Sequence, residues 1–403
     1  MSELLTNSIV VLQVVLLILL GMAALYMFLF SFAGLFFKQN SYPPDPEYRK
    51  IAVLIPGYKE DEVILEVAQE ALCQDYPKEC FDVVIIADSF QPETLEQLRR
   101  MPVRLVEVSF EKSTKSKALN KAMEVLPEIY DIAVILDADN LMATDFLSKM
   151  NAAFEGNFIA IQGHRTAKNL DSSLAILDAV SEEINNHVFR KGHRVVGLSS
   201  AIIGSGMAFR YVFFKQLMLK VTAIGGFDKE IELKLLKDRY KIEYLDDALV
   251  YDEKVQKAEV FSNQRRRWLS AQMHYFRQDI LQALRDLVTR GNVDYFDKAI
   301  QFIQPPRVLL LGAVIALGGF FWPTNYLLGI GPGITYIWLT IFILTILAFL
   351  FAIPRTYYNS RTLGALISLP KGMLLMFGSL MKIRGANKSF IHTRHSSVKA
   401  ISK

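Results

Sequence analysis

From Ile9 to Phe37 the chain is almost continuously apolar and carries no charge, and roughly 20 such residues cross the hydrocarbon core of a bilayer as a helix. Two further apolar runs, Val308 to about Ile330 and Ile334 to Ile353, flank the turn sequence Gly-Pro-Gly and predict a helical hairpin that crosses and returns. A last run, Leu363 to Met381, is interrupted by Pro370 and Lys371, which predicts an interfacial or re-entrant helix in preference to a fourth span.

Between these ends the pattern changes. Short apolar runs (IAVLIP from Ile51, FDVVIIAD from Phe81, IAVILDAD from Ile132) alternate with helical periodicity in EVILEVAQEAL from Glu62 and SKALNKAMEVL from Ser116. The runs have the unbroken hydrophobicity of strands buried on both faces, so the predicted fold class is α/β, a mainly parallel sheet with helices on both sides. Sites in such sheets lie beyond the carboxyl ends of the strands. There the runs place Tyr58 with Glu60, Asp88, and Asp137 with Asp139.

Charge orients this layout. Lys38, Arg49 and Lys50 follow the first run, Arg307 precedes the hairpin, and Arg355 and Arg361 follow it, so the positive-inside rule puts the α/β body in the cytoplasm from both ends. The opening segment MSELLTNS has no Lys or Arg and no small-residue cleavage site follows, which argues for an anchor over a cleaved signal peptide. The expected organisation is a transmembrane helix in 1–37, a proline-rich linker in 38–50, a cytoplasmic α/β domain in 51–250, and in 251–305 the segment Gln264 to Trp268 with interfacial helices. A transmembrane hairpin in 306–354 and an interfacial helix with a basic tail in 355–403 complete it. Hydrophobic residues make up 52% of the 403 residues while charged ones still reach 21%, as expected of a soluble body with membrane segments rather than a transporter, and neither inverted repeats nor intramembrane charge pairs appear. A formal net charge of +4 implies no nucleic-acid partner, and Cys73 and Cys80 lack metal or disulfide spacing. The lone histidines support no metal site either.

Two groups of residues carry candidate chemistry. Asp137 and Asp139, two positions apart at a strand end, would face the same side and share a hard divalent cation, although acids at strand ends also serve as plain helix caps. Gln264-Arg265-Arg266-Arg267-Trp268 combines a bidentate cation suited to phosphate with an indole face suited to a sugar ring; a basic helix on lipid headgroups is the alternative.

In order along the chain, LIPGYKED (54–61), IIADS (85–89), LDADN (136–140) and QRRRW (264–268) resemble the motifs of the family 2 glycosyltransferases. The resemblance is to the membrane-bound branch of cellulose, chitin and hyaluronan synthases and ceramide glucosyltransferases, and it covers residues 51 to about 270. It implies a GT-A-type nucleotide-diphospho-sugar transferase domain. By similarity Tyr58, Glu60 and Asp88 would contact the nucleoside, Lys115 or Lys117 the base or phosphates, and Asp137 the uridine and ribose end. Asp139 would ligate Mg2+ or Mn2+ on the pyrophosphate, Arg267 would stabilise the leaving diphosphate, and Gln264 and Trp268 would lie near the acceptor. Gly204-Ser205-Gly206 resembles the acceptor loop of the family, with an ordinary turn as the alternative. Ser389 to Arg394 resembles its gating loop, with His392 and His395 as departures and Thr393 and Arg394 reaching the diphosphate.

The expected Glu-Asp base pair is missing. GGFDKEIELKLL aligns Lys229-Glu230 over it, which makes Glu230 the first candidate for the general base and leaves Asp228 and Glu232 as substitutes. His164 and Arg165, with Glu183, Asn186, His187 and Arg190, form polar clusters suited to an acceptor channel. The resulting expectation is an inverting, metal-dependent transfer from a nucleotide-diphosphate sugar, a uridine one by preference, to a saccharide acceptor in cell-surface or capsular polysaccharide synthesis, at a bacterial inner membrane. The alternatives are single transfer to a membrane lipid and a non-catalytic nucleotide-sugar-binding membrane protein.

Overall fold

The computed structural model describes residues 3–43, 47–256 and 258–382. Eight strands form one sheet: β1 (Ile51–Tyr58), β2 (Phe81–Asp88), β3 (Arg104–Val108), β4 (Ile132–Ile135), β5 (Leu141–Met142), β6 (Ala160–Ala167), β7 (Met207–Arg210) and β8 (Ile242–Asp252). Their order is β3-β2-β1-β4-β7-β6-β8-β5. The half built from β3, β2, β1 and β4 is parallel, as the apolar runs predict. Beyond β4 the sheet is mixed: β7 runs antiparallel to both β4 and β6, β6 and β8 are parallel, and β5 is antiparallel to β8.

Strand alternation divides the core. Ala52, Leu54, Val84, Ile86, Ala133 and Ile135 face one layer with helices Lys115–Val125 and Tyr211–Met218. Ile51, Val53, Ile55, Val83, Ile85, Ile132 and Val134 face the other, with helices Ile64–Ala71 and Phe146–Ala153. Every one of these strand residues is fully buried or nearly so, which is why the runs read as continuous and not as alternating.

Among the described residues four helices are long and apolar enough to cross a membrane by length and composition: Glu3–Gly34, Arg307–Leu327, Pro332–Ala352 and the stretch Ser360–Met381. The last is the segment expected to lie at the interface. Pro370 does not interrupt it, because it occupies the first turn of helix Leu369–Met381, where no backbone N–H is needed. Its first turns pack on helix Ser173–Asn186 and its remainder on helices Ala258–Arg290 and Arg307–Leu327. The first three helices share a core with Val180, Ile184 and Val188 of the α/β body. Inside it, buried Gln13 and Asn325 exchange hydrogen bonds at 2.8 and 3.1 Å, and the Trp338 indole N–H donates to Gln13 at 3.1 Å. Such fully paired polar groups hold apolar helices together where the hydrophobic effect does not.

The α/β body meets the first helix at a π-helical segment, His187–Gly192, that follows helix Ser173–Asn186. The imidazole of His193 stacks on Phe30 with centroids 3.8 Å apart. Tyr26 Oη donates to Asp297 at 2.7 Å, and His187 Nε2 contacts the Ser31 carbonyl at 2.8 Å. The approach is so close that a Cβ on Gly192 would lie 2.2 Å from the Phe30 carbonyl oxygen.

Candidate functional site

β1 and β2 end in register, Tyr58 beside Asp88. The next residue of each, Lys59 and Ser89, has a left-handed backbone (φ 55° and 60°) although neither is glycine. Such strain persists where neighbouring contacts enforce it, and it gathers at ligand sites. Here Lys59 N–H donates to the Asp88 carbonyl at 3.1 Å and the Ser89 hydroxyl to the Asp88 carboxylate at 2.9 Å. The turn so held presents Tyr58, Glu60 and Asp88 to a cleft of about 760 Å³.

The third strand end departs from expectation. β4 stops at Ile135, and Asp137 to Asn140 form a turn closed by Asn140 N–H on the Asp137 carbonyl at 3.1 Å. Strand alternation therefore does not govern the two aspartates. Asp137 forms an ion pair with Lys115, whose ammonium also donates to the Gly204 carbonyl at 2.7 Å. Asp139 is 6% exposed on the cleft wall, and the Lys168 ammonium donates to its carbonyl at 2.9 Å.

Ser205 lies beneath this turn, fully buried, and is not part of the cleft lining. Its hydroxyl accepts from Asp137 N–H at 3.0 Å and meets the Asn140 amide at 2.7 Å. With the amide oxygen accepting that bond, the Asn140 nitrogen donates to Asp139 and Asp252 at 3.2 and 3.1 Å. Gly206 has φ +63°, and a Cβ there would meet Val250 at 2.9 Å. Of the glycine loop only Gly204 reaches the cleft; Ser205 and Gly206 brace the aspartate turn.

Gln264, Arg267 and Trp268 line the opposite wall from helix Ala258–Arg290, their i, i+3, i+4 spacing giving them one face. Burial pushes the Arg267 guanidinium down from its ordinary value, yet a guanidinium stays charged, so it is a poorly hydrated cation in a low-dielectric wall. Arg265, on the adjoining face, pairs with Asp178 and lies 4.4 Å from the Trp268 ring and 4.7 Å from that of Phe261. The indole therefore already stacks with a cation of its own helix.

The three base candidates separate by helical phase. Asp228 and Glu232, four apart on helix Phe227–Lys237, line the cleft. Glu230 lies on another face: its carboxylate accepts from Thr222 N–H at 3.2 Å and pairs with Lys234 at 3.2 Å, outside the cleft lining. Lys117 is likewise absent from that lining, because its ammonium donates to the Lys112 carbonyl at 2.8 Å. Thr393 and Arg394 lie outside the described residues.

Behind the cleft runs a buried ionic network. Arg165 pairs with Glu182 at 2.9 Å, Lys254 with Asp252 at 2.8 Å, and Arg190 donates to Asn186 at 2.6 Å. Burial alone would lower the Arg165 guanidinium and raise the Glu182 carboxyl; their mutual attraction reverses both. Arg165 and Arg190 reach the cleft, whereas His164 and His187 do not. His164 bridges Asp246 and Glu183 at 2.9 and 3.0 Å; burial opposes its charge, but those two carboxylates raise it to about 9. Sequence reasoning missed Asp252, Lys254 and Asp178, which belong to a strand end and a helix with no run or motif to flag them.

Hard oxygen donors suit a divalent cation, and Mg2+ takes few protein ligands when a diphosphate supplies the rest. Among the described residues no group of three or more His, Cys, Asp or Glu side chains forms a ready-made metal cage. The aspartate turn fits a cation through Asp139, while Lys115 already neutralises Asp137.

A parallel sheet half with acids gathered at its strand ends, extended by mixed strands and faced by a cationic helix, is an α/β arrangement like that of the GT-A-type glycosyltransferases. The family model described as glycosyltransferase like family 2 matches residues 46–271, more than half of the chain, and the chain belongs to that family. It is similar to the β-monoglucosyldiacylglycerol synthase of Synechocystis sp. (strain ATCC 27184 / PCC 6803 / Kazusa), 26% identical over 236 residues, 55% of this chain and 47% of that protein. The chain thus spans about half the length of that relative. Among solved structures it is similar to the mannosyltransferase PcManGT from Pyrobaculum calidifontis in complex with GDP-Man and Mn2+, at 20% identity over 83% of this chain and 96% of that one, with a TM-score of 0.49. S. aureus TarS 1–349 in complex with UDP-GlcNAc is a further likeness, at 15% identity, 80% and 90% coverage and a TM-score of 0.40.

Proposed function

We propose that the chain is an inverting glycosyltransferase that moves a sugar from a nucleotide-diphosphate donor, a uridine one by preference, to a saccharide acceptor at a membrane surface, in the synthesis of a cell-surface or capsular polysaccharide. The observation that carries this reading is the convergence of four separate sequence motifs on one cleft: Tyr58 and Glu60, Asp88, Asp137 and Asp139, and Gln264 with Arg267 and Trp268. In this reading Tyr58, Glu60 and Asp88 hold the nucleoside, and Lys115 and Asp137 its ribose and phosphate side. Mg2+ or Mn2+ on Asp139 would neutralise diphosphate charge. Arg267 stabilises the charge that develops on the leaving diphosphate, and a poorly hydrated cation does so without reorganising solvent.

Asp228 takes the proton. An acceptor hydroxyl attacks the anomeric carbon as the bond from that carbon to the diphosphate oxygen breaks; the electron pair leaves with the diphosphate, and the hydroxyl proton passes to the carboxylate. Asp228 is preferred to Glu230 because it lines the cleft while Glu230 caps Thr222. Gly204, which also lines the cleft, and Gln264 and Trp268 border the acceptor side, with Ser205 and Gly206 supporting it from below.

The basic residues that flank the apolar helices favour a cytoplasmic α/β body at a bacterial inner membrane. Helix Leu369–Met381, packed along the QRRRW helix, would then lie at the headgroups beside the cleft mouth. Transfer of one sugar to a membrane lipid is the second reading, favoured by the similarity to a β-monoglucosyldiacylglycerol synthase.

Purified full-length protein in detergent, incubated with radiolabelled nucleotide sugars and Mg2+ or Mn2+, tests the proposal. One donor should give a labelled saccharide with the inverted anomeric configuration and lose turnover with chelator. Donor binding without turnover would instead make the chain a non-catalytic binding protein, and a single glycolipid product would establish the second reading.

A further inference from the structure

The acceptor side of the cleft holds a carboxylate with no task in the transfer just described. Glu232 is 2% exposed and lines the cleft one helical turn beyond Asp228. One oxygen, Oε1, is paired with the Lys298 ammonium at 2.7 Å. The other, Oε2, is buried and has no hydrogen-bond partner among the described residues. Lys298 is held in turn: it donates to Gln301 at 3.0 Å, and Gln301 donates to Asp297 at 2.7 Å. The carboxylate is therefore fixed in place with one acceptor position unsatisfied.

A buried, unsatisfied carboxylate oxygen is expensive, and its natural complement is a ligand hydrogen-bond donor. Positions four apart on a helix stand about 5–6 Å from each other at Cβ, so the side chains of Asp228 and Glu232 can each reach one of two neighbouring hydroxyls on the same molecule. Resting on the transferase reading above, we propose that Glu232 is a specificity-determining residue that accepts a hydrogen bond from a second hydroxyl of the acceptor, beside the one deprotonated by Asp228. The acceptor class is thereby a vicinal polyol, such as a glycosyl unit, and not a lipid that offers a single alcohol. Burial raises the Glu232 carboxyl above its ordinary value even beside Lys298, so a donating hydroxyl also favours its charged form.

The experiment uses the full-length protein with whichever nucleotide sugar it turns over. Acceptor probes are octyl glycosides of glucose, galactose and mannose, their monodeoxy derivatives, and dioctanoylglycerol as a single-alcohol lipid. Wild type should use an intact glycoside and discriminate against the derivative that lacks the neighbouring hydroxyl by about 10- to 100-fold, the range for one lost hydrogen bond to a charged group. Glu232→Gln should erase that discrimination, chiefly by raising KM for the intact glycoside while kcat moves less. Because Glu232→Gln also leaves Lys298 unpaired, the double variant Glu232→Gln/Lys298→Gln is measured with it. If Glu232 recognises acceptor, the double variant recovers thermal stability without recovering the low KM.

The inference is overturned if the double variant recovers both, which makes the pair structural, or if Glu232→Gln keeps the full discrimination. It is also overturned if dioctanoylglycerol is the preferred acceptor, an outcome that leaves the transferase itself intact. Failure of wild type to turn over any nucleotide sugar contradicts the transferase reading, and this inference with it.

Discussion

At the scale of single residues, the network behind the cleft holds charges where water screens them poorly. His164 is the clearest case. Its imidazole is raised from 6.5 to about 9, while Glu183 and Asp246 are held below their ordinary values by hydrogen bonds and attraction that outweigh burial. A raised folded-state value stabilises fully below the unfolded value and is lost as pH rises through the folded one. The lowered carboxylates act in the opposite sense and lose their contribution only as pH falls below the ordinary carboxylate range. The trio is therefore fully paired from about pH 5 to 6.5 and weakens toward pH 9. His164→Gln should cost on the order of 3 kcal/mol near pH 6, where the two carboxylates hold the imidazole charged, and the deficit should shrink by pH 10. Thermal unfolding of both proteins across pH 5 to 10 measures it, and a deficit that does not change with pH would contradict the assignment.

At the scale of elements, the strands β1 and β2 and the helices after them were legible because both faces of the strands are buried, leaving an unbroken apolar signal. The mixed half was not. β6 and β8 carry charged and polar residues along their length, among them His164, Arg165, Asp246 and Asp252, because they run beside the ionic network, and their pattern resembles a loop. The phase of helix Phe227–Lys237 was equally hidden. Alignment of a motif assigns Glu230, whereas the helix, started by a left-handed Gly226, turns Asp228 and Glu232 into the cleft. The π-helical segment had no sequence signature, yet it sets Gly192 against Phe30. Gly192→Ala should force the first helix away and cost about 1–3 kcal/mol. Gly319→Ala, where a Cβ meets nothing within 4 Å, should be neutral, and detergent-solubilised thermal unfolding compares the two.

At the scale of the whole molecule, the apolar helices and the cleft form one connected structure. Gln301 lines the cleft, its amide contacts His193 at 3.0 Å, and His193 stacks on Phe30 of the first helix. The side of the cleft proposed to hold the acceptor is thus built against the segments proposed to cross the bilayer, where a saccharide or a membrane lipid would arrive. In the proposed reaction, sugar transfer occurs in this cleft with Asp228 as its base. The most direct test is the rate of acceptor-dependent sugar transfer by Asp228→Asn and Glu230→Gln beside wild type, at saturating donor and metal. Asp228→Asn should fall by about 10²- to 10⁴-fold while Glu230→Gln stays within a few-fold of wild type. Loss of transfer in Glu230→Gln with transfer retained in Asp228→Asn would contradict the account.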